Sequence, residues 1–247
     1  MRLTVLGGGG AWPTATRACS GYLVEHEGFR VLVDPGYATL PQLLRHQEAR
    51  DVDAVVVSHG HPDHCADLNP LLRARALGDN PPEALPVFAL PGALDAVLAL
   101  DGRMLDGSYA CHEISVGRPF EIGPFRVDTW ALPHFVPNAG LRFSAGGAVL
   151  AYTGDTGPSP DIVALARNAD LLLAEATFPE HVLPADNAPY LSTARQAGES
   201  AARAGVARLM LTHLWPGSEA HSAVAAASHA YTGAIEVALP EVAVTLG

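Results

Sequence analysis

The chain is short of positive charge, of cysteine and of long apolar runs, and each shortage removes a class of function. Across 247 residues, 15 Lys and Arg stand against 26 Asp and Glu, a formal net charge of −11. A broad nucleic-acid footprint needs a basic face, so this balance argues against one. A small anionic substrate stays open, because a bound metal supplies local positive charge that a whole-chain count misses. Cys19, Cys65 and Cys111 are odd in number and far apart, which fits neither a disulfide framework nor a C-x-x-C pair. No apolar stretch approaches the ~20 residues of a membrane span. Met1 leads straight into "RLTVLGGGG", which reads as a strand and turn rather than an export signal, so a cytoplasmic location is expected.

What remains is a compact pattern, 49% hydrophobic and 17% charged, with no fixed-period repeat and no low-complexity tract. Short apolar segments punctuated by Gly, Pro and Asp predict strands over 2–6, 21–27, 29–34, 53–58, 86–90, 125–132, 140–145, 148–153, 170–176, 207–212 and 234–239. Helical patterns fall at 39–49, 64–77, 92–100, 159–168, 193–204 and 219–230. Thr193 and Gln196 offer a capping box for the fifth helix. The first half reads as hairpin-rich and the second as alternating strand and helix, which points to two sheets covered by helices.

Residues 55–68, "VVVSHGHPDHCADL", place His59, His61, Asp63 and His64 within six positions, directly after an apolar run. A divalent metal needs several donors converging on a point, and neutral imidazole with carboxylate meets that need. If the chain leaving strand 53–58 stays extended, His59 and His61 project to one side. Pro62 then favours a turn that presents Asp63 and His64 toward a second point nearby. A two-and-two split suits a pair of metals better than one. A polar loop capping a helix would account for any single histidine here, but poorly for the cluster. The helical zinc motif H-E-x-x-H is absent. Further donors should end strands at the same sheet edge. His134 after "FRVDTWALP", Asp155 after "AVLAYTG" and His213 after "ARLMLT" do so.

This ordered set resembles the metallo-β-lactamase-fold superfamily over nearly the whole chain, with H-x-H-x-D-H standing as His59, His61, Asp63 and His64. The resemblance implies an αββα four-layer sandwich, one domain over residues 1–247, with a dinuclear metal site at one edge. It implies that His59, His61 and His134 hold one divalent ion while Asp63, His64 and His213 hold the other. Asp155 would bridge them, with a water or hydroxide as the second bridge. Zinc is the first expectation for both ions, and Mn, Fe or Ni also suit the donors. Asp34 in "VLVDPG" matches the family's acidic residue that steadies the ligand loop, a plain turn aspartate being the alternative. Dimers are frequent in the superfamily, so a homodimer is an open expectation; no membrane partner is expected.

Two metals about 3.5–4 Å apart lower the pKa of water toward about 7 and polarise a substrate oxygen, which is hydrolytic chemistry. The likeness lies on the phosphodiesterase side of the superfamily, with tRNase Z and atypical bacterial cyclic-nucleotide phosphodiesterases, and is carried by "PHFVPNAGLRF", "LAYTGDTG" and "ADLLLAEATF". The expected function is therefore hydrolysis of a small phosphodiester, a cyclic nucleotide among the candidates. Hydrolysis of a carboxylic ester, thioester or lactone is the alternative, and a non-catalytic metal-binding module the next. Two departures bear on the choice. In tRNase Z "AEAT" at 174–177 would begin with His, as would "LST" at 191–193; here the residues are Ala174 and Leu191. The first departure removes the family's usual proton donor, and with the acidic balance it argues against tRNA processing. His181 and His221, on segments leaving metal-side strand ends, are candidate replacements, and with Asp63 they are the candidate catalytic side chains; surface positions are the simpler reading of both histidines. "LGGGGAWPT" (6–14) would line the cleft or form a plain turn. Glu175 would orient His213 or His181. Arg142, Arg195, Ser192 and Thr193 would reach a phosphate or stay solvated.

Overall fold

The computed structural model describes residues 1–247 and arranges fourteen strands in two sheets of seven. The first sheet holds β1 (Arg2–Gly7), β2 (Gly21–His26), β3 (Phe29–Val33), β4 (Ala54–Val56), β5 (Leu85–Ala89) and β6 (Tyr109–Glu113). The second holds β7 (Phe120–Ile122), β8 (Phe125–Leu132), β9 (Asn138–Ala145), β10 (Ala148–Tyr152), β11 (Leu171–Glu175), β12 (Arg208–Thr212) and β13 (Ala234–Val237). Near the C-terminus β14 (Ala243–Thr245) returns to pair with β1. Helices are α1 (Thr39–Leu43), α2 (Pro62–Cys65), α3 (Leu68–Ala76), α4 (Asp95–Leu98), α5 (Pro160–Ala166), α6 (Ala194–Ala204) and α7 (Ala220–Ser228).

Period-2 geometry explains the layers. Along β1 to β4, Leu3, Val5, Tyr22, Val24, Val31, Val33, Ala54 and Val56 face the second sheet, meeting Phe125, Val127, Leu141, Phe143, Leu150 and Tyr152. Their neighbours Leu6, Leu23, Leu32 and Val55 point the other way, onto Leu43 of α1 and Leu68, Leu71 and Leu72 of α3. On the far side, Ala151, Leu172, Ala174, Leu209 and Leu211 pack on α5, α6 and α7. Strands covered on both faces carry apolar residues continuously, as these do. The result is the expected αββα sandwich.

The two sheets share one topology. In the first, β1, β2 and β3 are antiparallel and β3 to β6 parallel; in the second, β8, β9 and β10 are antiparallel and β10 to β13 parallel. Each is flanked by a short antiparallel strand, β14 or β7. The expected contrast between a hairpin-rich first half and an alternating second half is thereby corrected, since both halves open with hairpins and continue with crossovers. A consequence for the site is that β3 and β10 are equivalent, so Asp34 and Asp155 leave the same edge of their sheets. Strands β1, β3 and β4 run in parallel sense, as do β8, β10, β11 and β12, and their carboxyl ends meet there.

All eleven expected strands form, and β6, β7 and β14 are additional. β6 is an edge strand with mostly exposed side chains, and the other two have three residues each, too few for an alternation to stand out. The expected helix 64–77 divides into α2 and α3 at Asp67, whose backbone N–H donates to Pro35 O at 2.9 Å instead of continuing the first helix, while its carboxylate accepts the Leu40 N–H at 2.8 Å. The helix expected over 39–49 stops at Leu43. The Thr193 and Gln196 capping box forms, and α6 closes on Gly205 in the left-handed conformation. No helix is long and apolar enough to cross a membrane.

Candidate metal centre

The seven expected donors leave the carboxyl ends of β4, β8, β10 and β12 and converge. After β4 the chain stays extended through His61 (φ −70, ψ 143), and Pro62 then opens α2, whose single turn carries Asp63 and His64. Two groups result, His59, His61, His134 and Asp155 in one, and Asp63, His64, Asp155 and His213 in the other. Within each, one donor atom per residue lies within 4.8 Å of every other, and Asp155 belongs to both.

In the first group ring nitrogens face ring nitrogens. His61 Nδ1 lies 3.2 Å from His59 Nε2 and 3.0 Å from His134 Nε2, while Asp155 Oδ2 is 3.7 Å from His59 Nε2 and 3.8 Å from His134 Nε2. Nitrogens held at 2.0–2.1 Å in a tetrahedral shell stand about 3.4 Å apart, close to this spacing. Burial pushes all three imidazoles toward the neutral form that a metal needs.

In the second group carboxylates face imidazoles. His213 Nε2 lies 3.2 Å from Asp63 Oδ2 and 3.0 Å from Asp155 Oδ2, and His64 Nε2 lies 3.2 Å from Asp155 Oδ1. Burial opposes charge on both imidazoles, yet Asp155, aided by Asp34 at His64 and Asp63 at His213, holds them above the usual histidine range. Burial equally opposes charge on Asp63 and Asp155, but His213 and His64 hold both carboxyls below theirs. His64 Nε2 and Asp155 Oδ1 are buried without a hydrogen-bond partner. A deprotonated imidazole nitrogen and a carboxylate oxygen each offer a lone pair, and such atoms left unpartnered 3.2 Å apart are what a cation would satisfy, so these residues fit a divalent metal.

The surroundings fix each ring. Asp34, fully buried, accepts from His64 Nδ1 at 2.8 Å, from Ser58 N at 2.7 Å, from Ser58 Oγ at 2.6 Å and from Tyr152 OH at 2.7 Å. That role is the bracing expected of it, not a turn aspartate's. His213 Nδ1 donates to Thr177 Oγ1 at 3.0 Å, and Thr177 Oγ1 donates to Glu175 Oε1 at 2.6 Å. Glu175 thus acts on His213 through Thr177, and its other oxygen accepts the Thr156 N–H. Burial, with Asp155 close by, pushes the Glu175 carboxyl up to about 8. His134 Nδ1 donates to Tyr190 O at 2.9 Å. The glycine-rich loop does line the site. Ala11 N donates to Asp63 Oδ2 at 2.8 Å, and Gly10 packs so closely that a Cβ would stand 2.8 Å from His213 Cε1. His213 and Asp34 adopt left-handed φ of 57° and 50°, strain held by these contacts. Ser58, Tyr152 and Thr177 were not singled out from sequence, because a hydroxyl beside a ligand has no pattern of its own.

Other expected residues lie outside the convergence. His181 is exposed, and His221, 82% exposed, lies 3.9 Å from Glu219; neither belongs to the donor groups. Ala174 itself lies with the helix-facing core and lines a cleft of about 280 Å³ that none of the seven donors borders. Its Cβ projects from the helix-facing side of the sheet. Leu191 is nearer, between Tyr190, bound to His134, and Ser192, whose Oγ donates to Thr156 O at 2.6 Å. Arg142 is spent on Leu165 O and Arg167 O, Arg195 on Glu180, and Thr193 on its cap. Cys65 is buried and joins neither group of donors.

A four-layer sandwich that gathers imidazoles and carboxylates at one sheet edge is the architecture of a metallo-hydrolase. Residues 29–214 match the beta-lactamase superfamily domain, and the chain belongs to that family. It is 31% identical over 221 residues to the probable metallo-hydrolase YhfI of Bacillus subtilis (strain 168), covering 87% of each chain. It is 34% identical over 288 aligned positions to a ribonuclease Z of Kineococcus radiotolerans, covering 94% of this chain and 90% of that one. The crystal structure of YhfI, a metallo-beta-lactamase fold protein, aligns with a TM-score of 0.89 at 27% identity, covering 100% of this chain and 99% of that one.

Proposed function

We propose that the chain is a dinuclear metallohydrolase of small phosphodiesters, with a cyclic nucleotide the first substrate to try. The observation that carries this reading is the pair of donor groups sharing Asp155. His59, His61 and His134 would hold one ion, Asp63, His64 and His213 the other, with Asp155 common to both and zinc the first choice of metal. Bound there, two divalent ions would activate water near neutral pH and offset charge on a phosphoryl oxygen.

The chain's own residues supply orientation. Asp34 fixes which nitrogen of His64 faces inward, Thr177 does so for His213, and the Tyr190 carbonyl does so for His134. The Ala11 N–H engages Asp63 Oδ2 and limits where that carboxylate swings. The phosphodiester preference is supported by the likeness to a protein named ribonuclease Z, since a ribonuclease cleaves phosphodiester bonds.

The test is a substrate panel on metal-loaded protein, with cyclic nucleotides and dinucleotides beside thioesters and lactones. Turnover of a phosphodiester, abolished by His61→Ala, is expected. A clear preference for the carbonyl substrates would overturn the phosphodiester assignment, and activity unaffected by His61→Ala would overturn the metal mechanism.

A further inference from the structure

The exposed aromatic side chains of this protein are not scattered. Five are more than a third exposed, Trp12, Tyr37, Phe135, Tyr190 and Trp215, and all five sit on loops of the metal centre. Trp12 follows Ala11, which donates to Asp63, and Trp215 lies two residues beyond His213. Phe135 follows His134, whose Nδ1 donates to the Tyr190 carbonyl, and Tyr37 adjoins Gly36, which packs against the Asp63 backbone. The other large exposed apolar side chains, such as Leu77, Leu100 and Met104, are aliphatic. Exposing large aromatic rings to water is unfavourable, so their collection at one mouth calls for an occupant.

The rings form two walls. On the Asp63 and His213 side, Trp215 stacks on Phe178 (centroids 5.4 Å apart, 23° between planes) and meets Trp12 edge to face (5.2 Å, 81°). On the His134 side, Phe135 and Tyr190 pack at 4.8 Å and 38°. Phe178 thus props one face of Trp215, while Trp12 and Trp215 remain 49% and 36% exposed beside the donors. A planar group is the shape such rings bind, and stacking accepts any base because every base has a π-face. Resting on the phosphodiester reading above, we propose that Trp12 and Trp215 form a stacking platform for a nucleobase carried by the substrate. The site then takes nucleotide diesters in preference to base-free sugar or alkyl phosphodiesters, with little discrimination among bases.

Two of the three tryptophans lie on the platform, so binding is read by fluorescence without turnover. Metal-loaded protein is titrated with AMP and with ribose phosphate, for wild type, Trp12→Ala and Trp215→Ala. AMP should quench the emission and bind at least about tenfold more tightly than ribose phosphate, and either variant should reduce that advantage by about fivefold or more. Equal affinity of the wild type for the two ligands overturns the platform whatever the variants do. Turnover separates this failure from that of the parent reading. Equal kcat/KM on a cyclic nucleotide and a base-free phosphodiester removes the platform and leaves a phosphodiesterase, whereas no cleavage of either removes the phosphodiesterase reading. Concentration-dependent association of the protein with loss of AMP quenching would mean that a second copy, not a base, covers the rings.

Discussion

His64 and Asp34 are joined by a 2.8 Å hydrogen bond from the His64 Nδ1 to a fully buried carboxylate, which leaves His64 Nε2 as its only inward nitrogen. Asp34 holds the ring, the Ser58 backbone before His59 and the Tyr152 hydroxyl together. Asp34→Asn keeps the shape and tolerates the left-handed φ of 50°, but loses the charge. Partners of this kind are worth about 10- to 100-fold in metal affinity. Asp34→Asn should weaken metal binding by that range in a chelator competition, and unchanged affinity would remove Asp34 from the site's support.

On the other side of the centre the same function falls to Thr177. Its hydroxyl accepts from His213 and donates to Glu175, all three being buried. Thr177→Val has nearly the same volume and leaves His213 Nδ1 and Glu175 Oε1 unpaired. An unsatisfied buried group costs about 1–3 kcal/mol, so denaturant unfolding should register a loss of about 2 kcal/mol or more. Metal content should fall with it. A loss below ~0.5 kcal/mol would mean that the relay does not brace His213.

Gly10 is required by close approach. A Cβ there would stand 2.8 Å from His213 Cε1 and 2.9 Å from the His213 carbonyl oxygen. Gly10→Ala should displace His213, destabilise by about 1–3 kcal/mol and lower activity on any substrate. Gly78→Ala, where the nearest atom would be 3.8 Å away, is the control expected to melt as wild type does. Matching melting temperatures and activities for both variants would refute the close contact.

The fold was largely legible because most strands are buried on both faces and bounded by Gly, Pro or Asp, which writes them as discrete apolar runs. Short edge strands such as β7 and β14, and the exposed β6, bury too little to leave that trace. The donor cluster was legible because imidazoles recur at strand ends, a position that sequence order preserves. Its support was not. Tyr152 reaches Asp34 across 118 positions of chain and Thr177 reaches His213 across 36, and no local spacing encodes such contacts. The facing of position 174 is likewise not written locally. Strand alternation decides which face Ala174 takes, and it packs with Ala151 and Ala197 away from the donors.

The charge balance of the second group gives metal binding a definite pH dependence. Asp155, with Asp34 at His64 and Asp63 at His213, holds both imidazoles above the ordinary histidine value of 6.5, which favours a proton on each. A metal binds imidazole only through a free lone pair, so each inward proton must leave as the ion enters. His59, His61 and His134 are pushed the opposite way by burial and have little to release. Loading the protein with zinc should therefore release protons from the second group, and affinity there should rise with pH. Calorimetric titration in two buffers of different ionisation enthalpy counts them. His213→Ala should reduce the count. Proton release near zero for the wild type would mean that the carboxylates do not hold these imidazoles charged.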